Sequence, residues 1–232
     1  MGTRLELDRQ IEELRDEVII LGSMVEQATL DAVASLLNRD LAESKRVYLE
    51  DEKINKKRFD IENRTLICIA TQHPLATDLR VLASILEVIT ELERMGDYAK
   101  GIARININLG EEHPLKPPHE LDEMSRLATD MLHRSLEAFV TVDKKAAKKI
   151  PKEDDKIDEL YKRVERSLLD KMIADSNIVD KANHLNWAAH NLERLADRVT
   201  NICERTRFMA TGKLKEMDDS DDEFDQLLLS SN

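Results

Sequence analysis

Leu92-Glu93-Arg94-Met95-Gly96-Asp97 recurs one hundred residues later as Leu192-Glu193-Arg194-Leu195-Ala196-Asp197. Each copy sits in a helical pattern and carries two carboxylates four residues apart. A helix stacks such a pair on one face, one turn apart. Two like charges so placed repel unless a cation or an arginine lies between or beside them. The recurrence marks a tandem repeat in which each half offers an acidic site.

Working outward from Glu93, a helical stripe runs through Leu79, Leu82, Leu86, Ile89, Glu93 and Gly96, from a start near Ala76 to about Asn108. The segment before it, about Leu41 to Thr71, places Val47, Ile54, Ile61 and Cys68 on one stripe, and Asp51 and Arg58 fall on that same stripe. A carboxylate on a core-facing stripe is costly unless it is paired or coordinated. Gln72-His73-Pro74 closes this segment, since proline disfavours helix at the preceding residue. The opening segment is a heptad-like seam of Leu7, Ile11, Leu14, Val18, Leu21, Val25, Ala28 and Ala32, and Asp40 stands where it can cap the next helix.

The same plan then repeats. Leu109 to Glu120, with Gly110, Pro114, Pro117 and Pro118, reads as the linker between halves. Leu121, Met124, Ala128, Met131, Ser135, Ala138 and Val142 form the next seam. Asp143 aligns with Asp40, and Asp154-Asp155-Lys156-Ile157-Asp158 aligns with Asp51-Glu52-Lys53-Ile54-Asn55, both at an offset of 103. The offset has fallen to 100 by Glu93 and Glu193, so the His73-Pro74 turn is three residues longer than its partner near Asp175-Ser176-Asn177. The last helix spans about Val179 to Thr211 and stops at Gly212, a good residue for a left-handed C-terminal cap. The expected fold is all-α: two tandem antiparallel three-helix bundles, residues 4–109 and 119–212, six long helices packed together. Residues 213–232 are expected to form an acidic, mobile tail, with Asp218-Asp219-Ser220-Asp221-Asp222-Glu223 ahead of Leu227-Leu228-Leu229.

Composition agrees with long solvated helices: 35% of residues are charged and only 3% aromatic. The net charge of −12 argues against a general nucleic-acid binder, which needs a basic surface to neutralise phosphates. Cys68 and Cys203 lack any metal or redox spacing and read as buried free thiols in a reducing compartment. The first twenty residues mix acidic and basic side chains, unlike a signal peptide, and no run of about 20 apolar residues suggests a membrane span.

Gln72-His73-Pro74-Leu75-Ala76-Thr77-Asp78-Leu79-Arg80, followed by Leu92 to Ala99, resembles the PhoU family, as does Leu192 to Glu204. The resemblance covers about residues 4–215 and rests on two motif copies, the proline turn and the helix order. It implies a fold of two repeated three-helix bundles. It implies a cytoplasmic, non-enzymatic regulator of phosphate uptake that negatively regulates the phosphate-starvation response. The partners implied are a Pst-type ABC phosphate transporter and a membrane histidine kinase, with the chain peripheral to the membrane at most and assembled as a homodimer. Some members bind iron or zinc clusters through such acidic motifs and others are metal-free. The chain departs from the family pattern at Arg198, where histidine is common, at Ala196, where glycine is usual, and at Gly101, where the second copy has Asn201.

Two readings of the acidic motifs stand side by side. In one, Glu93 and Asp97 pair with Arg80, Arg94 or Lys100 in a helix-face salt network. In the other, Asp51, Asn55, Glu93 and Asp97 form one cation site and Asp154, Asp158, Glu193 and Asp197 a second, with Arg198 opposing the latter. All-oxygen donor sets suit Mg, Mn, Ca or oxidised Fe better than structural Zn. His190, one turn before Glu193, is a further candidate ligand, His73 serves its turn, and Trp187 is expected in the core or a bundle interface. No nucleophile elbow, P-loop or paired Glu-x-x-His motif appears, so no enzyme is expected. The alternatives are a metal-storage or buffering protein and a carboxylate-metal oxidoreductase on the same scaffold.

Overall fold

The computed structural model describes residues 2–111 and 114–214. Helix α1 (Gly2–Asn38) turns into α2 (Leu41–Gln72), which turns into α3 (Ala76–Leu109). After the linker come α4 (Glu120–Thr141), α5 (Lys144–Lys149), a 3-10 turn (Ile150–Glu153), α6 (Asp154–Ala174), a second 3-10 turn (Ser176–Ile178) and α7 (Val179–Thr211). The described residues contain no strand. The acidic run at 218–223 and the leucines at 227–229 lie outside the described residues.

The caps follow from the sequence. The Asp40 carboxylate accepts the Glu43 amide at 2.9 Å, and Asp143 accepts those of Lys145 and Ala146 at 2.8 and 3.2 Å. His73 takes a left-handed conformation (φ 49°) just before Pro74, and Gly212 does so after α7 (φ 70°). In the first half a three-residue turn, 73–75, joins α2 to α3. In the second, Asp175 alone precedes the 3-10 turn that replaces the first turn of α3, which accounts for the shorter connection.

The fifth helix of the expected six is broken. Pro151 has no amide hydrogen to give to an α-helical ladder, so Ile150–Glu153 tightens into a 3-10 turn and α6 starts afresh at Asp154. The α1 seam is buried throughout except for Ala28, which is partly buried. By length and composition α1 could cross a membrane, with a mean hydropathy of 1.3, contrary to the expectation from the sequence; its seam is nevertheless spent on the protein core. Helix α3 is the central element, packed against α1, α2 and α7. It therefore buries two sides: Val81, Ile85, Val88, Leu92 and Met95 are buried beside Leu82 and Ile89, while Leu79 of the expected stripe is 43% exposed. Trp187 also departs from expectation, standing 60% exposed on α7. Both cysteines are buried and free, and burial pushes the Cys203 thiol up to about 12, which keeps it protonated and inert.

The two halves pack through α3 against α7 and α1 against α4. The α3–α7 contacts mirror one another. Glu91 of α3 meets Arg198 and Asn201 of α7, while Asn191 of α7 lies so close to Gly101 of α3 that a Cβ there would stand 2.7 Å from its Nδ2. The Arg194 guanidinium lies 5.9 Å from the Tyr98 ring centroid. The helices are antiparallel and the repeats are related by a local two-fold, so the side of each motif helix away from this interface faces α2 or α6.

Candidate functional site

Each acidic motif lies on the long helix of its repeat, opposite the start of the preceding helix. In the first half Asp51 of α2 is buried, 4% exposed, as its place on the apolar stripe requires. It is not left uncompensated. Lys100 of α3 donates to its Oδ2 at 2.7 Å and Asn55 donates to the same oxygen at 2.9 Å. Oδ1 is buried with no hydrogen-bond partner among the described residues. Gly96 makes room for this arrangement: a Cβ there would stand 3.1 Å from Ile54 and 3.7 Å from Asp51 Oδ1.

Glu93 and Asp97 form no ion pair among the described residues. The cations proposed for them are used elsewhere: Lys100 on Asp51, Arg94 near Glu91 at 3.7 Å, and Arg80 on the Thr77 hydroxyl at 3.2 Å. Desolvation holds the Glu93 carboxyl above its usual range and Asp97 adds to it, while Arg58 pulls the other way. Asp97 is exposed at the rim, and partial desolvation followed by Asp51 raises it too.

The second half builds the same constellation with less positive charge. Thr200 stands where Lys100 does, Asp158 where Asn55 does and Tyr161 where Arg58 does. Four carboxylates, Asp154, Asp158, Glu193 and Asp197, therefore face one another with Lys162, Arg194 and Arg198 as the cations acting on them. Burial, then Asp197 and Asp158, push Asp154 up to about 8. Burial, then Asp197 and Asp158, push Glu193 up to about 7. Asp197 and Asp158 are raised as well, in each case by desolvation first. Asp154 and Asp197 share a side-chain hydrogen bond, and Asp154 Oδ1 and Glu193 Oε2 are buried atoms without a hydrogen-bond partner among the described residues. Among the described residues no three His, Cys, Asp or Glu side chains converge in a geometry that would hold a metal. The donor set at the second cluster is nonetheless all oxygen, under-neutralised and partly orphaned, which is what a hard cation needs. At the first, the Lys100 ammonium supplies the charge a cation would bring.

Arg198 acts on the second cluster only weakly, through Asp197. Its guanidinium crosses to α3 and meets Glu91 Oε2 at 3.3 Å, where Asn201 also donates at 3.0 Å. Asp197 feels Arg194 more strongly than it feels Arg198. His190 packs on Tyr161, ring centroids 6.0 Å apart. Sequence reasoning passed over Glu91, 8% exposed, and Lys100 as the partner of Asp51. A signal for Glu91 was present: Val88, Glu91, Met95 and Ile102 form a second helical stripe, and a charge on it needed an answer from the other repeat.

Comparison with known proteins places this geometry. The PhoU domain model matches the chain twice, at residues 18–105 and 121–206. The phosphate-specific transport system accessory protein PhoU homolog of Aquifex aeolicus is 34% identical over 210 residues, covering 90% of this chain and 95% of that protein. The accessory protein PhoU of Escherichia coli K12 is 32% identical over 208 residues, covering 90% and 86%. The crystal structure of PhoU from Pseudomonas aeruginosa superposes with a TM-score of 0.82 at 29% identity, covering 89% of this chain and 99% of that one. The phosphate transport system regulatory protein PhoU from Streptococcus pneumoniae superposes at 0.84 with 28% identity, covering 91% and 100%. Two matched repeats, full-length relatives and a shared six-helix architecture make this chain a member of the PhoU family.

Proposed function

We propose that the chain is a cytoplasmic regulator of phosphate uptake and signalling, holding the phosphate-starvation response off by contact with a Pst-type ABC transporter and a membrane histidine kinase. Membership in the PhoU family ties it to phosphate transport, and the observation that carries the reading is the doubled PhoU repeat with relatives named as accessory proteins of that system. The architecture supports action by contact rather than turnover. Helices of more than 30 residues present long faces to a partner. Deleting the gene is expected to leave phosphate-starvation genes on in phosphate-rich medium, and the tagged chain is expected to retain the transporter and kinase in pull-downs. Normal repression in the deletion strain, with no second copy of the gene present, overturns the role.

The regulator reading includes a cation at the second cluster. Asp154, Asp158, Glu193 and Asp197 would hold it, and when bound it supplies the positive charge that Lys100 gives the first repeat. The support is the pair of orphaned buried oxygens together with the raised carboxyls. Mg, Mn or Fe suits the donors better than Zn. Metal analysis of chain purified without chelator is expected to find about one ion per chain, lost in Asp154→Asn. A metal-free chain whose melting ignores both EDTA and added cation refutes this part alone and leaves the partner role standing.

A further inference from the structure

Helices α1 and α2 do not close on each other along their whole length. A cavity of about 480 Å³ opens between them and reaches Gly96 and Lys100 of α3. Ile19, Ile20, Met24 and Ala28 of α1 and Val47 and Ile54 of α2 give it apolar walls. Asp51 lines it as well, whereas Glu93 and Asp97 do not, so it is a separate feature from the acidic motif. Pockets that take small organic molecules run from about 300 to 1,000 Å³ and combine mostly apolar walls with a few placed polar groups.

The placed polar group is Asp51, 4% exposed. Lys100 and Asn55 both donate to its Oδ2, and Oδ1 is buried with no hydrogen-bond partner among the described residues. Oδ1 lies on the side of Gly96, where a Cβ would stand 3.7 Å from it. A buried acceptor left unmet works against the fold until something donates to it. The second half serves as an internal comparison. Met131, 1% exposed, stands where Ala28 does, and Ala196 adds the Cβ that Gly96 lacks. A cavity does flank Arg134, Lys149, Ile150 and Glu153, the residues matching Asp31, Arg46, Val47 and Glu50. Among the described residues, Asp154, Ile157, Ala196 and Thr200 do not line it, so it stops short of the buried carboxylate.

Charge decides what the first cavity can take. Lys100 already balances Asp51, and at the mouth Arg46 bridges Asp31, Glu43 and Glu50 while Lys53 meets Glu50. An ammonium brought to Oδ1 would be a buried charge without a counter-ion, and an anion would face the carboxylate itself. A neutral donor meets neither obstacle. We propose that the cavity binds a small, neutral, largely apolar molecule with one hydroxyl or amide N–H, which donates to Asp51 Oδ1 while its hydrocarbon body lies against Ile20, Met24 and Val47. Such a molecule fills the gap between α1 and α2 and completes the hydrogen bonding of the Asp51–Lys100 pair. Neither the phosphate role nor a cation at the second cluster enters into this site.

NMR of the full chain labelled at Ile and Met methyl groups, titrated with n-octanol, tests it. Saturable shifts are expected at Ile19, Ile20, Met24 and Ile54, and none at Met131 or Ile157. Heptyl methyl ether has the same number of heavy atoms but no donor, and is expected to bind about tenfold more weakly because Oδ1 stays unmet. Octylammonium is expected to bind no more tightly than the alcohol. Ala28→Met puts the second half's side chain into the cavity and should abolish the shifts. Ile20→Trp closes the mouth from an exposed position and carries the same expectation if Ala28→Met does not fold. No saturable shifts in the unsubstituted chain, shifts that survive these substitutions, equal affinity for alcohol and ether, or tighter binding of octylammonium would overturn it.

Discussion

Replacing Asp154 with asparagine tests the electrostatics of the second cluster. The wild-type carboxyl titrates at about 8 in the folded chain against an ordinary 3.8. The folded state therefore holds its proton more tightly than the unfolded state, and stability falls as pH rises from about 4 through 8. At face value the rise corresponds to about 6 kcal/mol against the charged form. Solvent at the rim of the cluster screens that to about 2–3 kcal/mol. Asparagine keeps the shape and removes the charge. In EDTA, Asp154→Asn is expected to match wild type near pH 3.8 and to exceed it by about 2–3 kcal/mol at pH 8.5, roughly 4–12 °C in Tm for a chain of this size. Thermal melts followed by circular dichroism at the two pH values measure the difference of differences, which cancels other titrating groups. With saturating Mg or Mn, wild type should recover by about 2.7 kcal/mol at a hundred times Kd, and the variant should not. A wild type equally stable at both pH values in EDTA, and unaltered by the substitution, would falsify the argument that these carboxylates are strained.

Further outcomes follow from the same contacts. Lys100→Ala removes the ammonium from buried Asp51 and is expected to lower stability by about 2 kcal/mol, with part of the loss recovered in Lys100→Ala, Asp51→Asn, as urea titration would show. Arg198→Ala strands Glu91 between the repeats and should cost about 2 kcal/mol, recovered largely by adding Glu91→Gln; a stability unchanged by Arg198→Ala would remove the cross-repeat pair from the account. Gly22→Ala puts a Cβ 2.1 Å from Leu136 Cδ1, so α1 and α4 must shift or Leu136 must rotate, for a loss of about 1–2 kcal/mol by thermal melting. Thr200→Lys with Asp158→Asn transplants the first cluster's neutralisation into the second. It should raise Tm in EDTA at pH 8 and abolish the response to added cation.

Much of the fold was legible because its signal is periodic. The seams of α1 and α4, the capping aspartates at 40 and 143, the His73-Pro74 turn and the stop at Gly212 each follow from local rules. The failures came where a residue's fate depended on a third helix. The α3 stripe through Leu79 was half the answer, since a helix wedged between two bundles buries two sides and a single-stripe reading finds one. Pro151 was visible and its effect predictable, yet the repeat alignment with an unbroken α2 concealed it. The eight acidic-site residues lie on α2, α3, α6 and α7, but the partners of the nearby cations could not be read from sequence spacing. Lys100 is one turn beyond Asp97 and reaches across to α2. Arg198 is adjacent in sequence to Asp197, yet points to the other repeat. Neighbourhood along the chain is a poor guide to partnership when consecutive helical residues diverge by about 100°.

The differences between the repeats are coordinated. Thr200 stands opposite Lys100, Asp158 opposite Asn55 and Tyr161 opposite Arg58, and all three leave the second cluster more negative. The remaining motif arginine at Arg194 lies over Tyr98, and Arg198 is committed to Glu91 across the repeat boundary. The first copy meets its buried Asp51 with Lys100, and the second copy has no lysine at the matching position. The first half closes on its own lysine. The second keeps partly buried carboxylates, raised by desolvation and by one another. Because α7 packs on both α6 and α3, Glu91, Arg198 and Asn201 tie the helix that carries half of the second cluster to the first repeat.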